Sequence, residues 1–148
     1  MPPPTVHVAG IPELQRKLQR LAADAPDLAL RAVRAGAAVL GEGMERRAPT
    51  LSDEWEGTIA RSIHMKPAGP TAVLVGTNHG LAAIFENGGE ITANKKRVLA
   101  SEEQDAVFGR TVIIPAQPFI RPAVDEDRGK AIAAVKRSAT RSLQRRTR

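Results

Sequence analysis

The side chains in this sequence that could do chemistry are three histidines, a scatter of carboxylates and one acidic turn, and their spacing points away from catalysis. His7 and His64 fall in segments that alternate like strands, and His79 falls in a turn. None has the i, i+4 partner of a helical metal pair, and no HExxH pattern exists. The chain has no cysteine, which excludes thiolate nucleophiles, disulfides and Cys-built zinc sites. Glu42, Glu45, Asp53, Glu54 and Glu56 are the acids from which a hydrolytic carboxylate pair could be drawn. They stand among arginines or in an open polar stretch, where they read as surface groups. No serine occupies a GxSxG elbow. Neither an enzymatic activity nor a cofactor is expected.

Glu86 differs from these acids because it closes an apolar run and precedes Asn87-Gly88-Gly89, so a tight turn holds it. No second acid, histidine or nucleophile lies near it in sequence. Its expected role is structural: capping backbone amides, or pairing with a neighbour's arginine. Gly88 and Gly89 lack phosphate-loop and dinucleotide spacing and read instead as a position needing positive φ.

The elements that must position this turn are legible in outline. Thr5–Ala9 alternates as a short strand ending at Gly10, and Leu14, Leu18 and Leu21 form one stripe of a short helix that Asp24-Ala25-Pro26 breaks. A longer helix follows from about Pro26 to Arg47, its apolar face Leu30, Val33, Ala37, Leu40 and Met44, ended by Pro49. Thr50–Gly57 is a polar loop with the single tryptophan, Trp55. Strands are expected at Ile59–Lys66 and Thr71–Thr77 around the turn Pro67-Ala68-Gly69-Pro70, though Arg61 interrupts the first and could delay its start. Leu81–Glu86 is a short element of undecided type. Between Ile91 and Ile114 an extended hairpin is expected, with Arg97–Ala100 opposite Val107–Ile114 and residues 93–110 as a mobile loop. Pro115 and Pro118 end the last strand. Beyond Pro122 a basic helix runs over about 123–148, with Asp125, Glu126 and Asp127 in its first turn and arginines at its end, matching the helix dipole. The order predicts one α+β domain spanning 1–148: an antiparallel sheet of about four to five strands, two to three helices on one face, and the extended hairpin loop.

With 148 residues the chain can bury roughly 70% of its extended surface in a core, here aliphatic, since the aromatics are only Trp55, Phe85, Phe108 and Phe119. No apolar run is long enough to span a bilayer and the N-terminus lacks a secretory layout, so a soluble cytoplasmic product without a membrane partner is expected. The net charge of +6 is uneven: residues 128–148 hold eight basic residues and no acid. Arg137, Arg141, Arg145 and Arg146 therefore suit phosphates or an acidic protein surface, or else form a solvated, fraying helix end. Contact with duplex DNA as an accessory DNA-binding protein is the competing functional reading.

Two blocks carry a resemblance. Ala82–Ile91 (AAIFENGGEI) and Val112–Ala123 (VIIPAQPFIRPA) resemble the "A-x-x-x-E-x-G-G-x-I" and "I-P-A-R-P-F-L-R-P-A" passages of the head–tail joining, or tail-completion, proteins of long-tailed bacteriophages. Val8–Leu14 and Arg46-Arg47-Ala48-Pro49 followed by Arg61-Ser62-Ile63 fit the same pattern, and the resemblance spans about residues 5–135. Gln117 and Asn87 depart from it, and Thr50–Thr58 lacks the "D-T-G-x-L" usual there. Within the second block, Ile114, Pro115, Pro118 and Pro122 form a stiff connector, which loses little entropy on ordering. Phe119 and Ile120 would pin it either to the core or to a neighbouring subunit, and Arg121 suits a bidentate ion pair. The resemblance implies a virion structural protein of the neck, assembled in the bacterial cytoplasm. It would form a homo-oligomeric ring, sixfold in expectation, between the head connector or head-closure protein and the tail terminator or tail tube. Channel DNA would be a further contact, and the 93–110 excursion and arginine tail would order on assembly.

Overall fold

The structure, a computed structural model, describes residues 10–50, 57–92, 99–101, 106–109 and 111–147, with side-chain surroundings for 10–50, 57–92 and 111–146. The expected strand Thr5–Ala9, the loop around Trp55 and most of the 93–110 excursion lie outside the described residues.

Two long helices dominate. α1 (Ile11–Arg47) is one helix of 37 residues, roughly 55 Å long, and not the two helices expected. Gly10 starts it at φ 90°, with Pro12 in the first turn where its missing N–H is no loss. Pro26 lies inside it and is exposed. Proline removes one hydrogen bond and crowds the carbonyl four residues back, a local cost of about 3 kcal/mol. The helix nevertheless continues, because contacts on both sides of Pro26 hold it to the rest of the fold. Arg146 of the last helix pairs with Asp24 just before the proline, and Leu28 is buried just after it. α1 ends at Ala48, which takes an extended ψ of 132° ahead of Pro49.

α2 (Thr58–Arg61) is one helical turn starting at Gly57 (φ 67°), so the expected strand loses its first residues and β1 (Ile63–Gly69) begins after Arg61. Ser62 closes that turn by donating its hydroxyl to the Ile59 carbonyl at 2.6 Å. β2 (Ala72–Thr77) pairs antiparallel with β1 in the register Ile63↔Thr77, Met65↔Val75, Pro67↔Val73. The connection narrows to Pro70-Thr71. The undecided segment is a helix, α3 (Ala82–Asn87). β3 (Gly89–Thr92) pairs with β6 (Thr111–Ile114), and between them β4 (Leu99–Ser101) pairs with β5 (Ala106–Gly109), all antiparallel.

A sheet of four to five strands does not form among the described residues: the six strands make three separate two-stranded ladders. β1 carries Pro67, which has no N–H to offer a further strand. The apolar face of β1–β2 packs on α1 instead of extending sideways: Val73 and Val75 line a groove with Val33, Leu40 and Ile132.

α4 (Ile120–Thr147) begins before Pro122, not beyond it. Pro122 occupies the third helical position, where a backbone N–H would have no intrahelical acceptor. Asp125–Asp127 consequently fall outside the first turn, which contains no acid. The arginine end is helical as far as Thr147 in the single chain.

α1 and α4 run antiparallel along a seam of small residues. Asp24 meets Arg146 at one end, Gly36 meets Ala131 and Val135 in the middle, and Gly43 meets Ala123 and Asp127 near the other end. A Cβ on Gly36 would stand 2.6 Å from Val135 Cγ2 and 3.1 Å from the Ala131 carbonyl oxygen, so glycine is what lets the axes approach. The main buried cluster lies beyond the Gly43 end: Met44 of α1, Ile59 of α2, Ala82 and Phe85 of α3, and Phe119 and Ala123 at the start of α4.

Candidate functional site

The two passages that carry the resemblance meet at one corner of the molecule, where α3, the β6–α4 connector and the first turn of α4 come together. Glu86 is 8% exposed. Its Oε2 accepts the backbone N–H groups of Phe119 (2.8 Å) and Ile120 (2.9 Å), and its Oε1 accepts that of Arg121 (3.0 Å). These are among the N–H groups at the start of a helix that find no intrahelical partner. A carboxylate from another helix thus caps α4 and meets the positive end of its dipole. Burial alone would raise the Glu86 pKa. The three N–H donors, with help from the Arg121 charge, outweigh it and hold the carboxyl below its ordinary range.

The neighbouring residues tighten the same corner. Arg121 donates from Nη2 to Asn87 Oδ1 at 2.8 Å, while its Nε stands 3.9 Å from Glu86 and most of its side chain is exposed. Gly88 sits at φ 72°, ψ 165°, a region closed to L side chains, and a Cβ there would lie 3.1 Å from the Ala116 nitrogen. Gly89 opens β3 opposite Ile114. The Gln117 N–H donates to the Phe85 carbonyl at 2.6 Å. Phe119 is fully buried in its own subunit's core, and Ile114 and Ile120 pack against that core half-buried. Pro115 and Pro118 are exposed on the connector, and Pro122 is half-buried. Glu86, Gly88, Gly89, Ile114, Phe119 and Arg121 therefore converge, whereas Arg137, Arg141, Arg145 and Arg146 lie apart on the second half of α4.

A second charged node was missed by the sequence reading. Asp127 is fully buried between the long helices. Its Oδ2 accepts from Arg47 Nη1 (2.9 Å) and Arg46 Nη2 (3.3 Å), and its Oδ1 from Lys130 Nζ (2.7 Å). Lys130 and then Arg47 hold its carboxyl below the ordinary range, against the opposing effect of burial. Arg47 also binds Glu126 and the Gly43 carbonyl, and Glu126 followed by Asp127 raises its pKa further. A signal was available: Asp127 falls at i+4 from Ala123 and i−4 from Ala131, on the one stripe of α4 made of small residues.

Neither node is arranged for turnover. Every oxygen of Glu86 and Asp127 is bonded to backbone or to cations, and no buried side-chain polar atom among the described residues lacks a partner. No cluster of potential metal ligands occurs among them either. His64 is exposed with Nδ1 2.9 Å from the Ser62 carbonyl, and His79 Nδ1 accepts the Leu81 N–H. No described helix is long and apolar enough to cross a membrane.

The fold and its two ionic nodes define an α+β protein whose buried carboxylates tie its helices together. The family described as "Bacteriophage HK97-gp10, putative tail-component" matches residues 12–88, and the chain belongs to that family of phage tail components. The matched span runs from the start of α1 through Glu86 to Gly88, so it includes one side of the capped corner. That membership agrees with the resemblance to head–tail joining proteins carried by the two sequence blocks. Neither a curated protein nor a solved structure matches the chain.

Proposed function

We propose that this chain is a non-enzymatic structural protein of the phage neck, assembling into a sixfold ring that joins the head connector to the tail. The observation that carries this reading is an uncovered apolar row at the start of α1. Ile11, Leu14 and Leu18 lie on one helical stripe and are 47%, 57% and 56% exposed. A contiguous apolar row of this kind marks a protein contact. It stands at the start of a 37-residue helix whose first buried residue is Leu28. A copy or neighbour that covers it makes a head-to-tail contact, and such contacts close into rings when the rotation allows. Membership of a tail-component family supports a virion setting, and in this reading the partners are the head-closure or connector protein on one side and the tail terminator or tube on the other. The Glu86 corner fits the same role, because it fixes the start of α4 without a partner and presents Arg121 and the prolines outward.

Native mass measurement across a concentration series tests the proposal. The wild-type chain is expected to form a closed homo-oligomer, and Leu14→Glu with Leu18→Glu to leave a folded single subunit. A wild-type chain that stays monomeric, with or without its head-side partner, would overturn the reading.

A further inference from the structure

Among the described residues several cations of the two long helices have no carboxylate partner, and three of them on α4 stand in a row. Arg137, Arg141 and Arg145 are exposed, and among the described residues no carboxylate pairs with any of them. Lys130 and Arg46, nearer the core, are already engaged by Asp127, and Arg146 by Asp24. The three free arginines recur every four residues, so they share one side of α4. Arg141 Nε donates to the Arg137 carbonyl at 3.4 Å, which lays its side chain along that side. Successive guanidinium groups are then about 6 Å apart along the helix, in a row of roughly 12 Å. At its inner end the row opens into a shallow groove of about 700 Å³ between α1 and α4, lined by Arg46, Lys130 and Arg137, with Glu42 its one acid.

We propose that this row is a phosphate rail that grips one strand of duplex DNA without reading its sequence. Each strand carries a phosphate about every 3.4 Å along the axis, so a row of roughly 12 Å spans enough of them for its three arginines to neutralise one each. Of the residues between the arginines, Ser138, Thr140 and Ser142 are small and hydroxylic, a type that contacts phosphate and sugar; the others are Ala139, Leu143 and Gln144. A protein partner would want an apolar or aromatic anchor at the centre of the contact, and the arginine face has none, since the exposed Leu143 lies on the opposite side of the helix. The cations also sit on a fixed base. The Glu86 cap, the Asp127 node and the Arg146–Asp24 pair hold α4 along its length, so the row is not a loose tail that must be ordered on binding. The proposal does not depend on the ring: a monomeric chain would carry the same rail.

Fluorescence anisotropy of the full chain with a random-sequence duplex, titrated with salt, provides the test. Three neutralised phosphates predict a slope of log K on log salt of roughly −2.7, or about a 40-fold loss of affinity between about 50 and 200 mM salt. Replacing Arg137, Arg141 and Arg145 by Gln should abolish that slope, and replacing all three by Lys should keep it. Removing the same charge elsewhere, with Arg16, Arg61 and Lys66 changed to Gln, should leave binding within about twofold, since general attraction to a basic protein contributes less than direct neutralisation. Equal losses in the two Gln variants would reduce the effect to net charge and overturn the proposal. So would a flat salt response combined with tight binding to poly-glutamate, which would assign the row to an acidic protein surface.

Discussion

The carboxylate of Glu86 accepts the backbone N–H of Phe119 at 2.8 Å across 33 residues of sequence, and in doing so joins the end of α3 to the start of α4. The same side chain takes the N–H groups of Ile120 and Arg121. One residue thus satisfies three donors that the helix cannot satisfy itself, directly beside the fully buried Phe119 ring. Replacing it with Gln keeps the shape but removes the charge and turns one acceptor into a donor facing an N–H. Glu86→Gln is expected to destabilise the fold by about 2 kcal/mol, read as a lower urea midpoint at unchanged slope. A change below about 0.5 kcal/mol would mean that the cap contributes little.

Both buried carboxylates tie stability to pH in the same direction. Glu86 and Asp127 each have a pKa lowered in the folded chain. The unfolded chain therefore binds protons more readily, and the stabilisation is fully present above the unfolded carboxyl values near about 4. It is lost as pH falls below these through the still lower folded values. Thermal melts from pH 7 downward should show a flat melting temperature to about pH 5 and then a steep decline. Glu86→Gln should shallow that decline, because of the two buried carboxylates only Asp127 then contributes; an identical acid limb in the variant would contradict the assignment.

Two helical glycines should respond to alanine with opposite signs. Gly129 is exposed inside α4 with nothing within 4 Å of an added Cβ, so Gly129→Ala should stabilise by about 0.5–1 kcal/mol through helix propensity. Gly36→Ala gains the same propensity but drives a Cβ against Val135 and the Ala131 carbonyl. Val135 can turn; the carbonyl belongs to the α4 backbone and cannot. The overpacking cost of about 1–3 kcal/mol then exceeds the gain, and the melting temperature should fall. Two melts with the same sign would show that the seam is looser than the Gly36 geometry requires.

Local patterns reached a long way. The stripe of α1 from Leu30 to Met44, the β1–β2 hairpin and the delayed start of β1 after Arg61 follow from periodicity and turn chemistry, which depend on near neighbours. The covered face of α4 does not: Val124, Ile132 and Leu143 are exposed, and Ala123, Asp127, Ala131 and Ala134 are buried instead. Pro26 reads as a helix break because the local cost of a proline is real, and only contacts from far along the chain, such as Arg146 to Asp24, offset it. The start of α4 was placed too late for a related reason. Pro122 reads as a boundary until one sees that a first helical turn does not need its N–H.

What the amino-acid order determined by itself was that Glu86 is a held carboxylate at a glycine turn, and that residues 112–123 form a stiff corner leading into a helix. The tertiary structure alone decided that the two belong to each other. It also decided that Asp127 belongs with Arg46 and Arg47 in the seam rather than with the dipole of its own helix. The physical reason is that periodicity tells which face of an element is covered but not by what. An ion pair or a cap between distant segments is selected by the three-dimensional approach of the helices, and here small residues at Gly36, Gly43, Ala123 and Ala131 set how close that approach is.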